Sequence, residues 1–128
     1  MENEIKVLLV DDEEDFRKLL AFWLKSRGYS VITASNGEEA LSLAKTENPS
    51  IVFMDLNMPV MDGTDALKKL REFNKDVPVI IISSYVDDRK AKEAMDLGIS
   101  GVFYKGKDFQ EGLSLLETTL RTHKQLKK

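Results

Sequence analysis

The chain contains no cysteine, and that single absence removes disulfides, thiolate metal sites and thiol nucleophiles together. It fits a reducing compartment. Histidine is nearly as scarce, because His123 stands alone amid Arg121, Lys124 and Lys127, where a solvated side chain is expected. Long apolar runs are missing as well. The longest, Leu19 to Leu24, falls far short of the ~20 residues a membrane span needs, and the start Met1-Glu2-Asn3-Glu4 is acidic. A cytoplasmic protein with no membrane partner is expected. Charge of one sign is lacking too: 19 Lys and Arg stand against 22 Asp and Glu, for a net charge of -3. Such a mixed surface projects no long-range field for gripping nucleic acid, so direct nucleic-acid binding is not expected. Internal repeats, low-complexity stretches and linkers are also absent.

What is there suits one globular domain over residues 1–128, with 42% hydrophobic residues and enough length to bury an ordinary core. Ile5 to Val10 reads as a buried strand that stops abruptly at Asp11-Asp12-Glu13-Glu14-Asp15. The period then changes. Phe16, Leu19, Leu20, Trp23 and Leu24 share one face of a helix and predict a core stripe, which Gly28 ends. Tyr29 to Ala34 predicts the second strand, and Asn36 with Glu39 has the spacing of a capping box for a helix that is spent by Asn48-Pro49. Ile51 to Met54 predicts a third strand, followed by a helix from about Asp62 to Asn74. Val79 to Ile82 is the fourth strand. A weakly amphipathic helix over Asp87 to Leu97, a short strand over Gly101 to Tyr104, and a last helix carrying Phe109, Leu113, Leu116 and Leu120 complete the pattern. The charges over Asp87 to Lys92 make a solvated face, and the weak amphipathicity of this helix is also what a mobile signalling surface would show.

Strands alternating with helices call for an α/β fold with a parallel sheet covered on both faces. Right-handed crossovers then favour a flavodoxin-like (βα)5 three-layer sandwich whose five-stranded sheet has the order 2-1-3-4-5. Ligands of such sheets bind outside the carboxyl ends of the strands, here between strands 1 and 3. That edge would gather Asp11, Asp12, Asp55, Ser83 and Lys105 from separate segments. Ordinary turns would instead supply Gly, Asn and Ser. Three carboxylates facing one lysine need a further counterion, and oxygen-only ligation points to Mg²⁺, or Mn²⁺, rather than zinc. A carboxylate beside a hard cation, a lysine and a hydroxyl is suited to attacking a phosphoryl group. Asp55, delivered by an apolar strand to a loop punctuated by Pro59 and Gly63, is the candidate nucleophile.

Val10-Asp11-Asp12-Glu13, Met54-Asp55-Leu56-Asn57-Met58-Pro59 with Met61-Asp62-Gly63, Ser83-Ser84 after an apolar strand, and Lys105 after the last strand resemble the bacterial response-regulator receiver domain. The likeness covers about Ile5 to Leu120, and four separated motifs fall in order on the expected elements. It implies that Asp55 accepts a phosphoryl group from a phosphohistidine on a sensor histidine kinase or phosphotransfer protein. It further implies that Asp12, Asp55 and the backbone carbonyl of Asn57 ligate Mg²⁺, with Asp11 acting mainly through a metal-bound water. Ser83 and Lys105 take the places of the hydroxyl and lysine that pair with the phosphoryl group. Asn57 and Tyr85 hold the positions that tune its hydrolysis. A signalling phosphoacceptor rather than an enzyme is expected, acting on an unknown downstream protein through helix 4, strand 5 and helix 5, as a monomer or weak dimer. No output domain is visible, so a stand-alone regulator or a receiver cut from a longer chain is expected.

Two positions depart from the family. Gly106 follows Lys105 where proline is usual, so that loop is expected to differ. Val102 stands where the family often has an aromatic switch, with Tyr104 on the same strand face as a substitute. Rival readings meet specific objections. A haloacid-dehalogenase-type phosphatase needs a second Asp where Asn57 stands, and an FMN carrier needs a Ser/Thr/Gly-rich loop where Asp11 to Asp15 lie. A degenerate receiver serving only as a binding module should lack an acidic or lysine position, and none is missing.

Overall fold

The computed structural model describes residues 5–58, 61–84, 89–106 and 108–127, with side chains through 122. Expectations for Pro59, Tyr85, the Asp87 start of the fourth helix and the His123 side chain lie outside those residues. The elements alternate as β1 Lys6–Val10, α1 Glu14–Ser26, β2 Ser30–Ala34, α2 Gly37–Glu47, β3 Ile51–Asp55, α3 Gly63–Phe73, β4 Val79–Ser83, α4 Arg89–Met95, β5 Gly101–Tyr104 and α5 Phe109–Lys127. All neighbouring strands pair in parallel, in the order β2-β1-β3-β4-β5. This is the flavodoxin-like (βα)5 sandwich that the alternation of periods predicts.

Period-two alternation sends each strand's side chains to opposite faces, so the sheet is buried twice. Val7, Leu9, Ile51, Phe53, Ile80, Ile82 and Phe103 meet α1 and α5 through Leu20, Leu24, Leu113 and Leu116. On the other face Leu8, Val10, Val52, Met54, Val79 and Ile81 meet α2, α3 and α4 through Ala40, Ala44, Leu67, Leu70, Ala91 and Ala94. The α1 stripe is shallower than its spacing suggested. Leu19 is 61% exposed, and Phe16 and Trp23 are only half-buried against the core, whereas Ala21 is buried. Ile5 and Tyr29 also fall just outside their expected strands.

Local signals account for the helix ends. Asn36 Oδ1 accepts from Glu39 N at 2.8 Å, while Glu39 Oε1 reaches back one residue further than a capping box would, to Ser35 N at 2.8 Å. Asn48 takes a left-handed φ of 49° as α2 ends. Asp62 caps α3, its side chain accepting from Asp65 N at 3.0 Å. At the far end of α3, Arg71 spreads its guanidinium over four carbonyls: Val77 at 2.8 Å, Asn74 at 3.2 Å, Gly98 at 2.7 Å and Leu97 at 3.3 Å. It therefore ties the turn after α4 to the entrance of β4.

The loop between β3 and α3 closes on itself through Gly63 N, which donates to Leu56 O at 2.9 Å. A Cβ at Gly63 would stand 2.2 Å from Asp55 O and 2.7 Å from Leu56 Cα. Both neighbours are backbone and cannot swing aside. Gly37, by contrast, would press only on the flexible Met61 side chain. Gly63→Ala is therefore expected to lower stability by about 2 kcal/mol or more, read as a fall of roughly 5–10 °C in the thermal unfolding midpoint. Gly37→Ala should cost clearly less.

Candidate functional site

Parallel pairing sets the carboxyl ends of β1, β3, β4 and β5 along one edge, and the residues at those ends carry the charge. Asp55 closes β3 in register with Ile82, and Ser83 closes β4 in register with Tyr104. Asp11 follows β1 and is fixed by its N–H on Ala34 O at 3.1 Å. Lys105 follows β5, its N–H on Ser83 O at 2.8 Å. Strands that are buried on both faces leave these ends little water: Asp11 and Ser83 are fully buried and Asp55 is 2% exposed. Asp12 lies at the exposed rim.

Each buried carboxylate is aimed by its own following backbone. Asp11 Oδ1 accepts from Glu13 N at 2.8 Å, and Asp55 Oδ1 accepts from Asn57 N at 3.1 Å. Arg17 Nη1 donates to Asp11 O at 2.8 Å and fixes the loop from behind. The free oxygens then face one another. Carboxylate oxygens of Asp11, Asp12 and Asp55 all lie within 4.8 Å of each other, close enough to share one metal ion. Lys105 Nζ lies 3.0 Å from Asp11 Oδ2, 3.2 Å from Asp11 Oδ1 and 3.6 Å from Asp55 Oδ2. Even so, Asp11 Oδ2 is buried without a partner in hydrogen-bonding geometry.

The electrostatics follow. Burial, then the neighbouring Asp11 charge, pushes Asp55 from an ordinary 3.8 up to about 7, against the pull of the Asn57 N–H and Lys105. Burial pulls the Lys105 ammonium down, but hydrogen bonds to Glu13 and Asp11 and the Asp55 and Asp11 charges outweigh it, so it stands above its ordinary 10.5. Three carboxylates facing one lysine, with the Asp55 carboxyl forced toward its neutral form, leave the pocket short of positive charge. The donor set therefore fits a hard, oxygen-ligated cation.

Every residue expected at this edge is present on it, with Asn57 contributing its N–H to Asp55 from an exposed loop position. Three contributions to the edge could not be read from the sequence. Glu13 stands in the acidic run that follows β1, yet it makes no capping bond with its side chain; its Oε1 instead accepts from Lys105 Nζ. Phe16 was assigned to the core, and its ring lies 4.8 Å beneath Lys105 Nζ. Gly63 is the third, through the close approach described above. At the departure position, Gly106 has φ 86°, which proline, held near −65°, cannot adopt, so this loop does differ from the usual one. Val102 packs on the α2–α4 face of the sheet, and Tyr104 shares its side of β5.

Comparison with known proteins identifies the family. Residues 7–117 match the family model described as the response regulator receiver domain. Over 98 residues, 77% of this chain, it is 41% identical to a probable transcriptional regulator, ycf27, of Guillardia theta. Over 93 residues it is 39% identical to the alkaline phosphatase synthesis transcriptional regulatory protein PhoP of Bacillus subtilis. The chain spans only 38% and 39% of those two relatives' lengths. The Vibrio cholerae chemotaxis protein CheY4 superposes with a TM-score of 0.85 at 30% identity, covering 91% of this chain and 98% of that one. A CheY-like receiver protein from Methanospirillum hungatei shares the fold at a TM-score of 0.91 and 20% identity, covering 96% and 98%. The chain belongs to the response regulator receiver domain family of two-component signalling. Members of that family are signalling phosphoacceptors that take phosphate from histidine kinases and act on downstream targets. Among the described residues no helix is long and apolar enough to cross a membrane.

The raised Asp55 value carries a sign. Between roughly pH 4 and 7 the folded chain keeps a proton that the unfolded chain has lost, so this group's contribution to stability falls as pH rises through that window. Without metal, Asp55→Asn is therefore expected to unfold at a higher temperature than the wild type at pH 8, by roughly 4–8 °C, with the gap closing toward pH 4. Thermal scans across pH in a chelating buffer measure it.

Proposed function

We propose that this receiver takes a phosphoryl group on Asp55 from a phosphohistidine of a sensor histidine kinase or phosphotransfer protein, in a reaction dependent on Mg²⁺. The observation that carries the reading is Asp55 itself, a nearly fully buried carboxylate within 4.8 Å of the Asp11 and Asp12 oxygens and 3.6 Å from Lys105 Nζ. In the transfer a carboxylate oxygen of Asp55 bonds to phosphorus as the donor's P–N bond breaks. The imidazole nitrogen keeps the electron pair and takes up a proton. Asp12, Asp55 and the Asn57 carbonyl would hold the Mg²⁺ directly and Asp11 would orient it through water, its charge neutralising the phosphoryl oxygens. Lys105 pairs with a further phosphoryl oxygen, and the Ser83 hydroxyl donates to another.

The acyl phosphate then shifts an equilibrium of the α4, β5 and α5 face toward the form that binds a downstream protein. Residues 1–128 act as one receiver unit, as a monomer or a weak dimer through that face. Ser83 and Lys105 stand on neighbouring strand ends, joined by the Lys105 N–H donating to Ser83 O at 2.8 Å, and this adjacency supports the coupling.

Incubation with Mg²⁺ and acetyl phosphate tests this by intact mass. The wild type is expected to gain one phosphoryl group, Asp55→Asn none, and Lys105→Met to gain it at least ~10-fold more slowly. No gain by the wild type, or an equal gain by Asp55→Asn, contradicts the reading.

A further inference from the structure

Lys105 does not rest on Asp55. Its ammonium hydrogen-bonds Glu13 Oε1 and Asp11 Oδ1, lies over the Phe16 ring at 4.8 Å, and stands 3.6 Å from Asp55 Oδ2, beyond hydrogen-bonding distance. The ammonium is thus drawn to the α1 side of the pocket. Of the groups holding it, Asp11 is buried and Phe16 carries no charge, whereas the Glu13 side chain is 62% exposed. Glu13 is the one holder that can leave for water at little cost. Its side chain is also free to do so, since it makes no capping bond at the start of α1 and does not belong to the three-carboxylate cluster.

We propose that Glu13 is a positioning residue that competes with the incoming phosphoryl group for Lys105, and so sets how readily Asp55 is phosphorylated. The inference rests on the phosphoacceptor reading and deepens it. In the resting chain Glu13 occupies one of the three ammonium donors. A phosphoryl group on Asp55 offers more charge and several acceptor oxygens on the opposite side, so Lys105 exchanges Glu13 for it and the Glu13 carboxylate turns to solvent. The transfer is balanced as before: with acetyl phosphate, an O–P bond forms at Asp55 as the donor's O–P bond breaks and acetate leaves. Because exposed ion pairs are worth at most about fivefold in an equilibrium constant, Glu13 is a modulator and not a lock.

The test is a double-mutant cycle of Glu13→Gln and Lys105→Met, with phosphorylation by acetyl phosphate followed by mass at saturating Mg²⁺. Competition predicts that Glu13→Gln speeds uptake by about two- to fivefold when Lys105 is present and changes it little in the Lys105→Met background. Glu13→Asp, which keeps the charge on a shorter arm, should fall between the wild type and Glu13→Gln. A general effect of removing a negative charge near an anionic donor would instead speed both backgrounds equally, and that result overturns the proposal. So does a Glu13→Gln rate equal to or below the wild type when the variant's thermal midpoint is intact. A wild type that takes up no phosphoryl group overturns the phosphoacceptor reading itself, and the competition with it. Normal uptake with no Glu13 effect overturns the competition alone.

Discussion

Two like charges buried at one edge of a sheet constrain everything around them. Asp11 and Asp55 end strands that are covered on both faces, where water cannot screen them, and their free oxygens face each other with Asp12 at the rim. The neighbouring structure serves to make that tolerable. Backbone N–H groups of Glu13 and Asn57 each take one oxygen, Lys105 reaches in from β5, and Arg17 ties down the carbonyl behind Asp11. Even α1 starts without a side-chain cap, because the acids at its threshold are engaged in the pocket. The unrelieved remainder appears as an Asp55 carboxyl pushed up to about 7, and a cation held in this pocket is what would bring it back to its charged form.

The pocket is mechanically continuous with the helices beside it. Gly63 sits against the Asp55 and Leu56 backbone, and the adjacent Asp62 caps α3 while its other oxygen lies 3.0 Å from Lys90 Nζ on α4. At the opposite end of α4, Arg71 grips the carbonyls of Leu97 and Gly98. The first tie is partly exposed and worth little, whereas the second is a pair of bonds from a half-buried guanidinium that also holds the Asn74 and Val77 carbonyls. Among the described residues, α4 is thus tied at its end by the Arg71 guanidinium and near its start to the cap of α3.

Much of this could be read before any coordinates. Switching between periods of two and 3.6 gave the order of elements, parallel topology gave the edge, and the edge singled out Asp11, Asp12, Asp55, Ser83 and Lys105. What escaped had physical reasons. The stripe on α1 reported direction but not depth, so Leu19 was counted as core although it faces solvent. Nothing local separates Glu13 from Glu14 and Asp15; its role depends on a lysine 92 residues away. Nothing in the sequence singles out Arg71, since its carbonyl partners come from loops that carry no sequence mark. Gly63 was visible as loop punctuation, but its necessity comes from the backbone it touches. At Gly106 the departure from proline could be read directly, and its consequence, a φ of 86°, had to be seen.

The central claim is that Asp55, and neither of the acids beside it, carries the phosphoryl group. Borohydride reduces an acyl phosphate to the alcohol, so brief phosphorylation with Mg²⁺ and acetyl phosphate, followed by borohydride and peptide mass mapping, converts the acceptor to homoserine. The account predicts homoserine in place of Asp55 alone. Its appearance in place of Asp11 or Asp12, or nowhere in a folded and Mg²⁺-treated chain, would contradict it.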